Sequence, residues 1–210
     1  PALDATKLEH GDTVLDISLS NVNPLLHVPA VVMNVGAIEN WGIIPHVGAS
    51  DVYFDIYAFG CSPTVGEVQY AYYEDLVTIS KAFGIGICHV EKDALTSSRM
   101  GLIGQFFYGH DYRLPYTEAL DLTTWLPTPK GTRFELKSRY ITEDIPVGCV
   151  TAINFAKLKN IDTPTLHAMT NLSNIMMKTD YYSQGYTMKD MGLEGMTPDQ
   201  MVAYMRTGKC

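Results

Sequence analysis

The sequence predicts a mainly α-helical domain, on three observations. Segments with apolar residues three and four apart outnumber alternating ones, and no regular strand–helix alternation points to a doubly wound sheet. Pro63, Pro164 and Pro198 also stand where helices would open, the last two directly after a threonine.

The elements are read in chain order. Thr13 to Ser20, TVLDISLS, alternates apolar Leu15, Ile17 and Leu19 with polar neighbours, which predicts a short extended segment leading into an Asn-Pro break. Pro24 and Pro29 then bracket His27 on a stiffened stretch, and Ala30 to Ile38 reads as a helix buried on most faces, with Asn34 as its only strongly polar side chain. Val52 to Ala58 alternates again. Pro63 opens a helix to Phe83, where Val65, Val68, Tyr72, Leu76, Ile79 and Phe83 recur at three and four and Gly84 stops it. Between His89 and Gly131 the mixture of serines, glycines and Pro115, Pro127 and Pro129 predicts short helices and loops. Arg133 to Tyr140 alternates, and Thr142 is placed to cap a helix running through Pro146 to Leu158. Thr163-Pro164 starts another helix to Lys178, and Thr197-Pro198-Asp199-Gln200 is a capping-box pattern opening a last one.

The bulk numbers narrow the functional classes. With 210 residues, 46% of them hydrophobic, the chain can build one sizeable core, and a single domain over residues 1–210 is expected. Its net charge of −8 is spread along the chain and Lys and Arg form no dense block, so neither nucleic acid nor an acidic membrane surface is an expected partner. No apolar run approaches the roughly 18 residues that span a bilayer, and no basic-then-apolar leader is seen. Cys61, Cys88, Cys149 and Cys210 lack CxxC spacing and any zinc-ligand pattern, so they read as reduced thiols in a cytoplasmic protein, with no metal expected. The ten methionines, several of them in the C-terminal third, suit adaptable core filling or a soft cleft.

Two places carry residues suited to proton chemistry. His27 is one, since histidine changes charge near neutral pH and here sits on a stiffened backbone. His10, His46, His89, His110 and His167 lie in unrelated contexts without HxxxH or HExxH spacing. The other place is Arg139 to Asp144, RYITED, where an extended segment hands over to a helix. Its acidic residues suit a first helical turn, and Arg139 is either a surface cation or a fork for a carboxylate.

The ordered segments NVNPLLHVPAVVMNVGAIE, YAFGCSPTVGEVQYAYYEDLVTISKAFGI, SRYITEDIPVGCVTAINFAKLKNIDTPTLHAMTNL and YYSQGYTMKDMGLEGMTP resemble the C-terminal helical domain of the octopine/nopaline (opine) dehydrogenases, over nearly the whole chain. The resemblance implies a domain like the C-terminal helical part of 6-phosphogluconate dehydrogenase, completed by an N-terminal Rossmann domain absent from this chain. It implies an NAD(P)H-dependent enzyme that condenses an amino acid with an α-keto acid such as pyruvate and reduces the imine. The family's catalytic histidine falls on His27, its partner aspartate on Asp144 and its arginine on Arg139, where a substrate carboxylate is the expected ligand. A homodimer is compatible with this picture, and NAD(P)H is expected to bind mainly to the other domain. Two departures stand out: Val28 separates His27 from Pro29, and no G-x-G-x-x-G follows a strand, Gly84-Ile85-Gly86 included. Alternatives are a reductase of a simple 2-keto acid in the same superfamily, or a helical binding or oligomerisation module without catalysis. Trp41, Trp125, Tyr116 and Met33 are candidate pocket walls.

Overall fold

A computed structural model describes residues 14–40, 56, 60–96 and 136–208. Among them every regular element is helical, so the mainly α class holds. The Val52–Ala58 reading and most of the region between His89 and Gly131 lie outside the described residues.

Thr13–Ser20 needs correcting. Its described part forms helix α1, Val14–Leu19, rather than an extended segment. The alternation misled because the inward pair is Asp16 and Leu19, three apart, while Ile17 points outward. Asp16 is turned inward to accept the Gly86 N–H at 2.6 Å, and just beyond the helix Ser20 accepts the Cys88 N–H at 2.8 Å. Both bonds come from the chain leaving the longest helix, so tertiary pairing overrides the local pattern.

The run around His27 also differs from expectation. One helix, α2, spans Val22–Val32 and carries His27 in its middle rather than before its start. Pro24 is tolerated because it lies in the first turn, where its missing N–H has no partner to lose, and the Asn21 side chain caps by accepting the Asn23 N–H. Pro29 withholds an internal N–H, and next to that fault Gln69 donates to the Leu26 carbonyl at 3.0 Å. The predicted continuation to Ile38 breaks at Asn34, whose side chain turns back to donate to the Ala30 and Gly60 carbonyls. A short α3, Val35–Asn40, follows. The burial expected of Ala30–Ile38 falls instead on α2, where Pro24 through Val32 are all buried, while Met33 at 47% and Gly36 are exposed.

Helix α4, Pro63–Phe83, matches its predicted limits: Ser62 accepts the Val65 N–H at the start and Gly84 takes a left-handed conformation, φ 62°, at the end. It is the central strut, packed against α2, against α5 (Lys92–Thr96) and against the C-terminal helices. Gly84 as a cap and Gly86 as donor to Asp16 account for the G-I-G sequence without a nucleotide.

The 139–158 region is a second correction. Arg139 and Tyr140 are helical, in α6 (Arg139–Thr142), and Thr142 is no cap but hydrogen-bonds back to the Ser138 carbonyl. A wider π-helical segment, Asp144–Val150, follows, and α7, Thr151–Leu158, completes the rod. The widening falls where Pro146 cannot donate to the Thr142 carbonyl and its ring crowds that oxygen, a local cause for loosened winding. Helix α8, Pro164–Met177, and α9, Pro198–Thr207, begin as predicted, and the Thr197–Gln200 capping box is formed in full. Thr163 supplies no side-chain cap; Asp75 of α4 does so from a distance, accepting the Leu166 N–H at 2.9 Å. Among the described residues no helix is long and apolar enough to cross a membrane.

Burial raises the Asp75 pKa above the usual carboxylate value, against the lowering by the Leu166 and Thr165 backbone donors. A carboxyl that holds its proton more tightly folded than unfolded loses stability as pH climbs from the unfolded pKa to the folded one. Urea denaturation between about pH 3 and pH 7 is therefore expected to show a falling contribution in the native protein that Asp75→Asn lacks, the amide oxygen still capping α8. Identical pH slopes in the two proteins would contradict this assignment.

Candidate functional site

His27 and Asp144 meet. Their residues lie 117 apart in sequence, yet His27 Nδ1 stands 2.7 Å from Asp144 Oδ2, with side chains only 9% and 13% exposed. Helix α2 supplies the imidazole from its buried centre, and the first residue of the π segment supplies the carboxylate. A hydrogen bond of this length to a carboxylate holds the ring in one tautomer and leaves proton exchange to Nε2. The Tyr140 ring, one helical turn before Asp144, lies against the imidazole with centroids 3.9 Å apart and planes 29° apart.

The close approach of α2 to the π segment depends on Gly148. A Cβ there would fall 2.5 and 2.8 Å from Pro24 Cγ and Cβ, inside contact distance. Pro24 lies three residues before His27, so the proline–glycine contact sets the spacing at which imidazole and carboxylate meet. On the other side of the segment, Gly185 lets the C-terminal tail seat against Val150 and Pro146.

Beneath the pair, Tyr72 of α4 and Cys149 of the π segment are fully buried with Oη and Sγ 3.3 Å apart. Burial pushes the Cys149 thiol up to about 12, and raises the Tyr72 phenol well above its usual value, with Cys149 and Asp144 adding to the rise. Both groups are therefore neutral near pH 7, and Cys149 is a structural thiol rather than a nucleophile. The described cysteines Cys88 and Cys149 are free thiols, as expected, and buried Cys61 lies against the Gln69 amide.

Arg139 does not contact the pair. Its guanidinium is 71% exposed and lies 3.5 Å from Glu143 one turn on, an exposed pairing of little energetic weight. Arg139, Glu143 and Asp144 instead border a cavity of about 520 Å³, which Pro24 and Tyr72 also line and whose far wall is apolar, with Leu76, Phe155 and Leu193. Met191 and Met205 lie in that wall, so part of the methionine-rich C-terminal third does line a cleft, while Met169 and Met201 are core. His27 is not among the lining residues; the cavity reaches the dyad from the carboxylate side.

Among the other sequence candidates, His89 pairs with Glu91 on the surface and His167 with the Tyr182 hydroxyl. Met33 ends α2, away from the cavity, and His10, His46, His110, Trp41, Trp125 and Tyr116 lie outside the described residues. Among the described residues no cluster of His, Cys, Asp and Glu suits a metal ion. Nor do they include a strand–glycine turn–helix unit to fit a dinucleotide pyrophosphate. The sequence reading missed Tyr140. With Arg133–Tyr140 taken as extended and a helix capped at Thr142, residues 140 and 144 were not recognised as i, i+4 neighbours on one helical face.

Among the described residues the domain is thus helical and sets a buried histidine–aspartate pair beside a cavity. Residues 10–177 match the family described as NAD/NADP octopine/nopaline dehydrogenase, alpha-helical domain, and the chain belongs to that family. It is also 24% identical over 188 residues to a protein of Arthrobacter sp. (strain 1C) named opine dehydrogenase. That match takes in 89% of this chain but 46% of the relative, so the chain spans about half of the relative's length.

The Gly148 contact yields a direct test. Gly148→Ala is expected to cost about 1–3 kcal/mol and lower Tm by several degrees, as overpacking does. Gly36→Ala, whose Cβ would meet nothing within 4 Å, is expected to leave Tm level or slightly raised. Equal melting of the two variants would remove Gly148 from its spacing role.

Proposed function

We propose that this chain is the substrate-binding and catalytic domain of an NAD(P)H-dependent opine-type dehydrogenase, which joins an amino acid to an α-keto acid such as pyruvate and reduces the product. The single observation that carries the reading is the 2.7 Å His27–Asp144 contact in a chain of this family.

Condensation needs a neutral amine and, later, a proton for the departing water. His27 Nε2 accepts a proton from the amino acid's ammonium group, which frees the nitrogen lone pair to attack the keto carbon. The same nitrogen then returns a proton to the carbinolamine hydroxyl as the imine forms and water leaves. Asp144 holds Nδ1–H throughout and offsets the positive charge while the ring carries the extra proton. Arg139, charged at every working pH, stands at the cavity edge where a substrate carboxylate can meet its planar fork. A reduced dinucleotide, held mainly by an N-terminal domain outside this chain, is the reductant in this reading. The expected partners are thus two small acids and that second domain.

In the full-length enzyme, His27→Ala is expected to lower kcat by about a hundredfold to ten-thousandfold while NAD(P)H binding stays within about twofold. Arg139→Leu is expected to raise KM for the acid substrates more than it lowers kcat. NAD(P)H oxidation should require pyruvate and an amino acid together. Equal oxidation with pyruvate alone would favour a simple 2-keto acid reductase, and full turnover in His27→Ala would end the proton-transfer reading.

A further inference from the structure

The Asp144 hydrogen bond anchors the His27 ring at Nδ1. A planar ring held at Nδ1 can still tilt about the line to the carboxylate, and tilting swings Nε2 sideways. Tyr140 lies against the imidazole face, 3.9 Å away by centroid and 29° from parallel, a contact that opposes such a tilt. The two constraints come from one short stretch of chain. Tyr140 in α6 and Asp144 at the start of the π segment are four residues apart, so one ordered turn presents a flat surface and a carboxylate to the same ring.

We propose that Tyr140 is a positioning residue whose ring face fixes the imidazole plane of His27, so that Nε2 points in one direction at the reacting amine. The inference rests on the proposed proton-transfer role of His27. Stacking, not the phenol hydroxyl, carries the effect. An aromatic ring of any polarity at position 140 therefore suffices and an aliphatic side chain does not. The sequence fits this economy, since the aromatic position and the carboxylate travel together in one RYITED segment. The consequence is kinetic more than energetic: misdirecting a proton-transfer atom by a fraction of an ångström to one ångström costs rate while leaving substrate binding in place.

The test compares Tyr140→Phe and Tyr140→Leu in the full-length enzyme with pyruvate, an amino acid mixture and NAD(P)H. Tyr140→Phe should keep kcat within about twofold, whereas Tyr140→Leu should lose about 10- to 100-fold in kcat with KM for both acids nearly unchanged. Nitrogen-15 NMR of histidine-labelled protein gives a readout independent of turnover. The His27 ring signals should stay sharp in the native protein and in Tyr140→Phe, and broaden in Tyr140→Leu. A fully active Tyr140→Leu, a Phe variant as impaired as the Leu variant, or unbroadened His27 signals in Tyr140→Leu would each overturn the proposal. Running His27→Ala alongside separates the two levels. An inactive His27→Ala with an active Tyr140→Leu sinks only the role of Tyr140, and an active His27→Ala sinks the reading beneath it.

Discussion

The hydrogen bond from His27 to Asp144 ties together two helices that share no local sequence, and the packing around it is arranged to make that bond possible. Helix α2 is buried on every side through Pro24–Val32, so the imidazole has no route to bulk water along its own helix and must find its polar partner inside the protein. The π segment brings that partner. Pro146 loosens the winding just after Asp144, and Gly148 removes the side chain that would hold α2 away. A buried polar group of this kind is costly when half satisfied, so the geometry of the pair constrains both elements that carry it.

The surroundings complete the electrostatics. Tyr72 and Cys149 sit below Asp144 as neutral groups, since burial raises both far above neutral pH. They fill the floor without adding charge near the carboxylate. Arg139 and Glu143 stand outside, exposed, at the edge of the cavity. The site is thus layered: a neutral floor, a hydrogen-bonded acid–base pair above it, and charged side chains at the opening. Such layering is consistent with the proposed reaction between two carboxylate-bearing substrates, in which a cation stands at the entrance and a proton carrier is shielded from solvent.

Much of this was legible in the chain, and the failures are physical. Helices α4, α8 and α9 were read from start and stop signals and periodicity because these are local: Pro63 at the start of α4 and Gly84 at its end, Thr163-Pro164, and the Thr197–Gln200 box. Helix α1 was misread because its inward residue is a carboxylate, Asp16, whose purpose is visible only once Gly86 is beside it. Helix α2 was displaced because two prolines were taken as boundaries, whereas one falls in the first turn and the other is accommodated inside the helix. The pairing of His27 with Asp144 was suggested by family resemblance and not by spacing, since nothing local links residues 117 positions apart. Tyr140 escaped because its role depends on a helical register that the alternating pattern concealed.

The account stands on His27 and Asp144 acting as one unit, and a double-mutant cycle on turnover measures that most directly. Comparing His27→Ala, Asp144→Ala and the double variant in the full-length enzyme, the account predicts strong non-additivity, with the double variant little slower than His27→Ala alone. Losses that simply multiply would mean that the two side chains serve the reaction separately, and the 2.7 Å contact would then have no part in it.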